Sequence, residues 1–399
     1  MIHLNKKRAV GTQFVFLMIF LTNMITQKNK GTSKNPSRHA ELVSASPRYQ
    51  EIADQVRNDV SGKSVVFRSA HKLIFAKGFV AIILLFASGM FCLYGQSNIH
   101  ATADINIRDP FVLSDTQKGI YYMYASSSQK GSAGQTLGGV AVYKSKDLKT
   151  WEGPQQVFTV PEDNWITGAV WAPEVHAYNG RYYLFATLNS DIEWKKRQAD
   201  WPAYTFRGTQ IFHADSPEGP FLPFDRVPHT PMDQMALDGT LWVEDGTPYM
   251  VYCHEWVQIV DGAMMVVELK PDLSAPVGQP LRLFYASSAP YTPNDGKSFV
   301  TDGCFLYRTK TSKLLMIWSS FSAEGYAIGI AESTSGKVHG PWRQQPETLF
   351  SANGGHGMIF KTFDGKLHIV FHQPNSPGRA ERARFFELED TGETLVIKK

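Results

Sequence analysis

A unit recurs five times after residue 107, and this repeat restricts the fold more than any other feature of the chain. Each copy opens with a short strand that begins on a small or acidic residue, turns, and returns as a strand rich in Tyr and aliphatic side chains. The openings read Arg108-Asp109-Pro110-Phe111, Trp171-Ala172-Pro173-Glu174, Leu237-Asp238-Gly239-Thr240, Thr301-Asp302-Gly303-Cys304 and Gly355-His356-Gly357-Met358. Aligning Asp109, Ala172, Asp238, Asp302 and His356 gives spacings of 63, 66, 64 and 54 residues. Asn179-Gly180, Asp245-Gly246 and Asp364-Gly365 fall between the paired runs, as hairpin turns would. A third strand follows in most copies, such as Val140-Ala141-Val142-Tyr143. Multi-stranded repeats at this period predict an all-β chain folded as a five-bladed β-propeller. A β-sandwich leaves the period unexplained, and no long helical periodicity is present.

In a propeller the first strand of each blade lines the central channel, and the starts of those strands gather at one mouth. Asp109, Asp238, Asp302 and His356, far apart in sequence, are therefore expected around one pocket. Glu255, in Tyr252-Cys253-His254-Glu255-Trp256, ends the second strand of the third blade and returns to the same mouth. An isolated Asp at a strand start is ordinary turn chemistry, whereas three in register at a channel mouth point to a site. Paired carboxyls of unequal pKa are what glycosidic bond hydrolysis requires, one to protonate the leaving oxygen and one to activate water or attack directly. The aromatic and apolar flanks of Glu255 favour its neutral form, as a general acid needs.

Charge agrees with a neutral glycan as partner. The formal net charge of +3 is carried by the N-terminal part: residues 1–95 hold 13 Lys/Arg against 4 Asp/Glu, and residues 96–399 hold 27 against 33. The predicted propeller is thus mildly acidic, which excludes a nucleic-acid partner that would need a basic face. Two apolar runs, Phe14 to Leu21 and Gly78 to Leu93, each follow basic residues in the manner of an export signal. The second closes on Gly95-Gln96, a plausible cleavage point. Residues 1–95 are accordingly read as a leader preceded by a start placed too early, and residues 96–399 as the catalytic propeller, periplasmic or extracellular. Neither run is a secure membrane span, so no stable span is expected after processing, and a monomer is expected. Beyond Cys92, only Cys253 and Cys304 remain, so there is no disulfide framework, and no CxxC or HExxH pattern signals a transition metal.

Residues 104–390 resemble glycoside hydrolase family 43. The motifs that carry the likeness are Ile107-Arg108-Asp109-Pro110-Phe111, Trp171-Ala172-Pro173-Glu174-Val175, Ala214 to Phe221, Leu237-Asp238-Gly239-Thr240-Leu241 and Gly354-Gly355-His356-Gly357. The resemblance implies an inverting mechanism with Asp109 as base, Asp238 as the carboxyl that tunes pKa, and a glutamic acid. Many members carry that acid where this chain has Asp302; members with a His-Glu-Trp motif point to Glu255, which is preferred here, with Asp302 kept as rival or substrate contact. Glu174 is read as a rim or substrate contact, and Trp171, Trp242 and Trp256 as candidates for the sugar subsite, with blade packing as the competing role. His356 resembles a central histidine that often lies beside a bound cation. No cofactor is required, but a structural Ca²⁺ near His356, held mostly by waters, is admitted. The expected reaction is removal of a terminal furanose or pentose from a polysaccharide or oligosaccharide, α-L-arabinofuranose foremost. β-Xylosidase, β-D-galactofuranosidase, endo-arabinanase and an inactive glycan-binding propeller are the alternatives.

Overall fold

The computed structural model describes residues 98–398 except 294, 297, 298 and 377–379. The proposed leader, with Cys92 and the Gly95-Gln96 junction, lies outside the described residues. What is described is a β-propeller of five antiparallel sheets.

Blade one contains β2 (Phe111–Asp115), β3 (Ile120–Lys130), β4 (Thr136–Ser145) and β5 (Thr150–Thr159), with β1 (Ile99–Ala101) added on its outer edge. Blade two is β6 (Ala169–Tyr178), β7 (Arg181–Lys195), β8 (Tyr204–Ala214) and β9 (Leu222–Pro223). Blade three is β10 (Ala236–Glu244), β11 (Thr247–His254), β12 (Ala263–Leu269) and β13 (Pro276–Tyr285), with one helical turn, α1 (Trp256–Ile259), between β11 and β12. Blade four is β14 (Asp302–Arg308), β15 (Leu314–Ser322), β16 (Gly325–Ser333) and β17 (Trp342–Gln344). Blade five is β18 (Gly355–Lys361), β19 (Leu367–Gln373), β20 (Arg382–Asp390) and β21 (Leu395–Ile397). The innermost strands β2, β6, β10, β14 and β18 touch one another in a closed cycle.

Blades stack face to face, so their middle strands are covered on both sides. This is why the returning strands read as continuous apolar runs rather than alternating ones. Residues Leu314 to Ser320 of β15 are all buried, whereas β13, at an outer edge, is mostly exposed. Trp318 is fully buried between Phe284 and Tyr291, with ring centroids 5.3 and 5.7 Å away, and its indole N–H donates to Gln344 at 3.0 Å. Burial of one such side chain stabilises the fold by about 1.5–3 kcal/mol. The turns behave as their residues dictate: Asn179-Gly180 and Asp245-Gly246 both take positive φ at both positions, as tight hairpins joining twisted strands require. At Asp364-Gly365 only the glycine does, and Thr362 N–H bonds Lys366 O across a wider loop.

The buried His229 links blades two and three. Its Nδ1 accepts from Ile211 N–H at 3.2 Å and its Nε2 faces Leu273 O at 3.1 Å, which fixes the neutral tautomer. Burial depresses its pKa to about 4. A depressed histidine binds its proton more readily unfolded, so its share of stability is present above pH 6.5 and lost as pH falls toward 4. Tm is therefore expected to fall over that window, and a His229→Gln variant should show a shallower slope there in a thermal-melt series.

Candidate active site

The inner strands begin with a shared backbone device. Asp109, Ala172, Asp238 and His356 all have positive φ, at 50°, 42°, 55° and 57°, and so does Gly303, at 52°. In blades two to five the ladder slips at this point, between Trp171 and Glu174, Leu237 and Thr240, Asp302 and Phe305, and Gly355 and Met358. Such a bulge with a left-handed residue turns a side chain out of the ladder. The sequence alignment is thereby corrected at one blade: Gly303, not Asp302, is the equivalent of Asp109, Asp238 and His356. Asp302 sits one place earlier, in the slot filled elsewhere by Trp171, Leu237 and Gly355. The glycine is demanded by space as well as by φ, because a Cβ there would lie 2.7 Å from His356 Cγ and 2.8 Å from its Cα.

The bulge amides are caught by the preceding blade. Asp238 N–H donates to Thr187 Oγ1 (2.8 Å), His356 N–H to Ser319 Oγ (2.8 Å) and Asp109 N–H to His372 Nδ1 (3.3 Å). Thr187, Ser319 and His372 hold one register place, each opposite the residue ahead of its own blade's bulge. In blade three that place holds Cys253, a poor acceptor, and Gly303 N–H instead donates to Asp238 Oδ2 at 3.1 Å. Cys253 and Cys304 are both buried free thiols.

The repeat does bring Asp109, Asp238, Asp302 and His356 together. His356 Nδ1 is 3.2 Å from Asp109 Oδ1 and 3.7 Å from Asp238 Oδ2, and His372 Nδ1 is 3.1 Å from Asp109 Oδ1. Arg108 Nε is 3.6 Å from Asp109 Oδ2. Burial alone would raise the Asp109 pKa, but His356 and Arg108 outweigh it and hold the carboxyl well below the usual range. Asp238 moves the other way, pushed well up by burial and by Asp302 and Asp109. Asp302 is also raised by burial, against the pull of His356, of the Tyr326 hydroxyl that donates to it at 2.8 Å, and of Arg108.

Glu255 follows β11 at the same mouth and immediately precedes α1. It is buried and faces Arg207, whose Nη1 donates to Oε1 at 2.9 Å and lies 2.8 Å from Oε2. Burial raises its pKa to about 7, with Arg207 opposing and Asp302 adding to the rise. The Arg207 guanidinium also covers the Trp171 ring at 4.8 Å, and Nη2 donates to Thr205 at 2.7 Å. Trp171, 37% exposed, thus stands at the mouth with one face braced. Trp256 packs edge-on against Trp201 at 5.1 Å, and Trp201 donates to Val257 O at 2.8 Å, so these rings anchor α1 against the arm between β7 and β8.

Two candidates are displaced. Glu174 is not a rim residue: it is buried, two places past the bulge residue Ala172, and pairs with His176 Nε2 at 2.8 Å inside the blade packing. Trp242 lies four residues beyond Asp238 along β10, among core residues between blades three and four, with Arg308 5.5 Å from its ring. Trp242 is a packing residue, because a strand carries its side chains away from the mouth at about 3.3 Å per residue, whereas Glu174 stays close enough for its charge to raise the Asp238 pKa. For a cation, the described residues contain no group of three His, Cys, Asp or Glu that could hold one. With Nδ1 turned to the carboxylates, His356 offers only its other nitrogen. A cation there would take that nitrogen and fill its remaining places with waters, as Ca²⁺ permits, and no step below involves it. Arg108, Arg207, Tyr326 and His372 were not singled out from sequence. Arg108 stands within a quoted motif without a role assigned to it, but the others carry no motif and become visible only through the blade register.

A mouth that holds one carboxylate ionised and keeps another carboxyl near neutrality can transfer protons to and from a glycosidic bond. Comparison with known proteins agrees. Residues 103–396 match the family model for glycosyl hydrolases family 43, and the chain belongs to this family. It is a glycoside hydrolase. An endo-arabinase from Bacteroides thetaiotaomicron VPI-5482 is 39% identical, with a TM-score of 0.62 over 72% of this chain and 96% of that one. An α-L-arabinofuranosidase structure from Lactobacillus brevis, 19% identical with a TM-score of 0.56 over 73% of this chain and 93% of that one, shares the fold. Among curated proteins, alpha-L-arabinofuranosidase 43 of Humicola insolens is 29% identical over 22% of this chain, and extracellular endo-alpha-(1->5)-L-arabinanase 1 of Bacillus subtilis (strain 168) 32% over 16%. These two matches span only 17% and 23% of the relatives' own length. Among the described residues no helix is long and apolar enough to cross a membrane.

Gly303→Ala should destabilise the fold by at least about 1 kcal/mol, since alanine tolerates neither this φ nor this space, and should lower kcat by displacing His356. Thermal melts and turnover measured on one preparation check both effects.

Proposed function

We propose that this enzyme hydrolyses α-L-arabinofuranosyl bonds with inversion, Asp109 acting as base and Glu255 as acid. The arrangement that carries the reading is the opposed state of two carboxyls at one mouth: Asp109 is held ionised by His356 and the Arg108 guanidinium, and the buried Glu255 is poised near pH 7. Asp109 would draw a proton from the attacking water as Glu255 gives its own to the departing oxygen. Asp238, pushed toward its neutral form by burial and by Asp302 and Asp109, would hydrogen-bond without competing for the base role. Trp171, braced by Arg207, offers an open ring face to a sugar. Inversion rests on the family's mechanism, and the arabinofuranosyl preference on the names of the endo-arabinase and arabinofuranosidase relatives. The 39% identity to a protein named endo-arabinase favours internal cleavage of an arabinan as the second reading over release of a terminal residue. Action in the periplasm or outside the cell is part of the proposal and rests on the apolar run before Gln96.

Product analysis on linear arabino-oligosaccharides separates the readings: arabinose alone supports terminal release, and a ladder of oligomers supports internal cleavage. No release from these or from an aryl α-L-arabinofuranoside overturns both. Asp109→Asn should lower kcat on every substrate by about 10²–10⁴-fold. Glu255→Gln should do so on arabino-oligosaccharides but far less on an aryl glycoside whose leaving group needs no proton. If Asp302→Asn shows that leaving-group dependence and Glu255→Gln does not, the acid is Asp302.

A further inference from the structure

The ring closes without a shared strand. β1 extends blade one, β21 extends blade five, and each blade is completed by strands adjacent to it in sequence. Blades one and five must therefore be joined by other contacts. On the apolar side, Tyr121 stacks on Phe363 at 3.8 Å, and its hydroxyl accepts from Phe363 N–H at 2.9 Å.

The polar side converges on one buried residue of blade five, Glu381, which is 5% exposed. Its backbone N–H donates to Asn106 Oδ1 at 2.9 Å, and its backbone carbonyl accepts from Ile107 N–H at 3.0 Å. Its Oε1 accepts from Arg108 Nη1 at 2.7 Å and from Ser376 N–H at 3.0 Å. One residue thus binds 106, 107 and 108, the three positions directly ahead of Asp109. Arg108 Nη1 also donates to Asn375 Oδ1 at 2.9 Å, and that oxygen lies 3.4 Å from Nε2 of His372, the residue that holds the Asp109 amide.

We infer that Glu381 is a positioning residue for Asp109, so that the seam closing the propeller also sets the place of the base. This rests on the reading of Asp109 as base. A purely structural seam would need no such concentration beside the reacting carboxylate, since the Tyr121–Phe363 contact already joins the two blades. Misplacement of a catalytic group by about 1 Å lowers turnover on the order of 10²-fold, so a loosened clamp should act on kcat.

The test measures kcat, KM and Tm for Glu381→Ala, Glu381→Gln, Asn106→Ala and Phe363→Ala, each assayed well below its own Tm on a glycoside the wild type cleaves. Glu381→Ala should lower kcat by about tenfold or more, with KM within about twofold. Glu381→Gln keeps an acceptor for Arg108 and Ser376 and should recover part of the loss. Phe363→Ala should lower Tm and leave kcat near wild type. Should Glu381→Ala fail to fold, Asn106→Ala, which cuts one tie, should still show a lowered kcat with little change in KM. Wild-type kcat in Glu381→Ala or, in that case, in Asn106→Ala overturns the inference, as does a loss that Phe363→Ala reproduces in proportion to Tm. Full turnover in Asp109→Asn overturns instead the reading of the base, and this inference with it.

Discussion

The site depends on a backbone interaction: the capture of the left-handed bulge amides of Asp109, Asp238, Gly303 and His356 by side chains of the preceding blade. Asp109, Asp238 and His356 occupy a conformation that L-residues adopt at a cost of about 1–3 kcal/mol. Their amides would be orphaned at the channel mouth without Thr187, Ser319 and His372. The strain is tolerated because the surrounding blades determine it from several sides, and it aims the side chains at one another. A propeller suits this, since each blade's second strand ends beside the next blade's bulge.

The same constraint explains how a cluster of acids stays folded. Buried carboxyls repel unless some are neutral or paired. Here the roles are divided by neighbours. Asp109 takes His356 and Arg108, Glu255 takes Arg207, and Asp238 takes Gly303 N–H and is driven toward its neutral form. The departure of blade three, with Cys253 where blades two, four and five have Thr, Ser and His, is what ties Asp238 to blade four. Polar chemistry and ring geometry are thus fixed by one set of contacts.

The fold was legible because its signals are periodic: the Asn-Gly and Asp-Gly turns, the apolar return strands and the spacing of the openings. Asp109, Asp238, His356 and Glu255 were legible because each stands at a strand end whose direction the repeat dictates. Asp302 was placed one residue out of register because Asp-Gly in blade four mimics Asp-Gly in blade three, and only φ shows that the glycine takes the bulge. Trp242 was misplaced since it lies past the bulge within blade packing, and Glu174 is buried rather than at the rim, neither of which composition reveals. Arg207 and His372 belong to middle strands, where a polar residue within an apolar run is conspicuous only once the register names its neighbour.

The pH dependence of kcat/KM on a natural arabino-oligosaccharide tests the division of charge most directly. Glu255 must be protonated to act and its pKa is raised to about 7, so the rate should fall as pH rises through about 7. Asp109 must be ionised and its pKa is lowered, so the acid limb should lie below the ordinary carboxylate range. In Glu255→Gln the residual rate should lose the alkaline limb. A limb near pH 7 that persists unchanged in that variant, or a rate that climbs through neutrality in the wild type, would contradict the account.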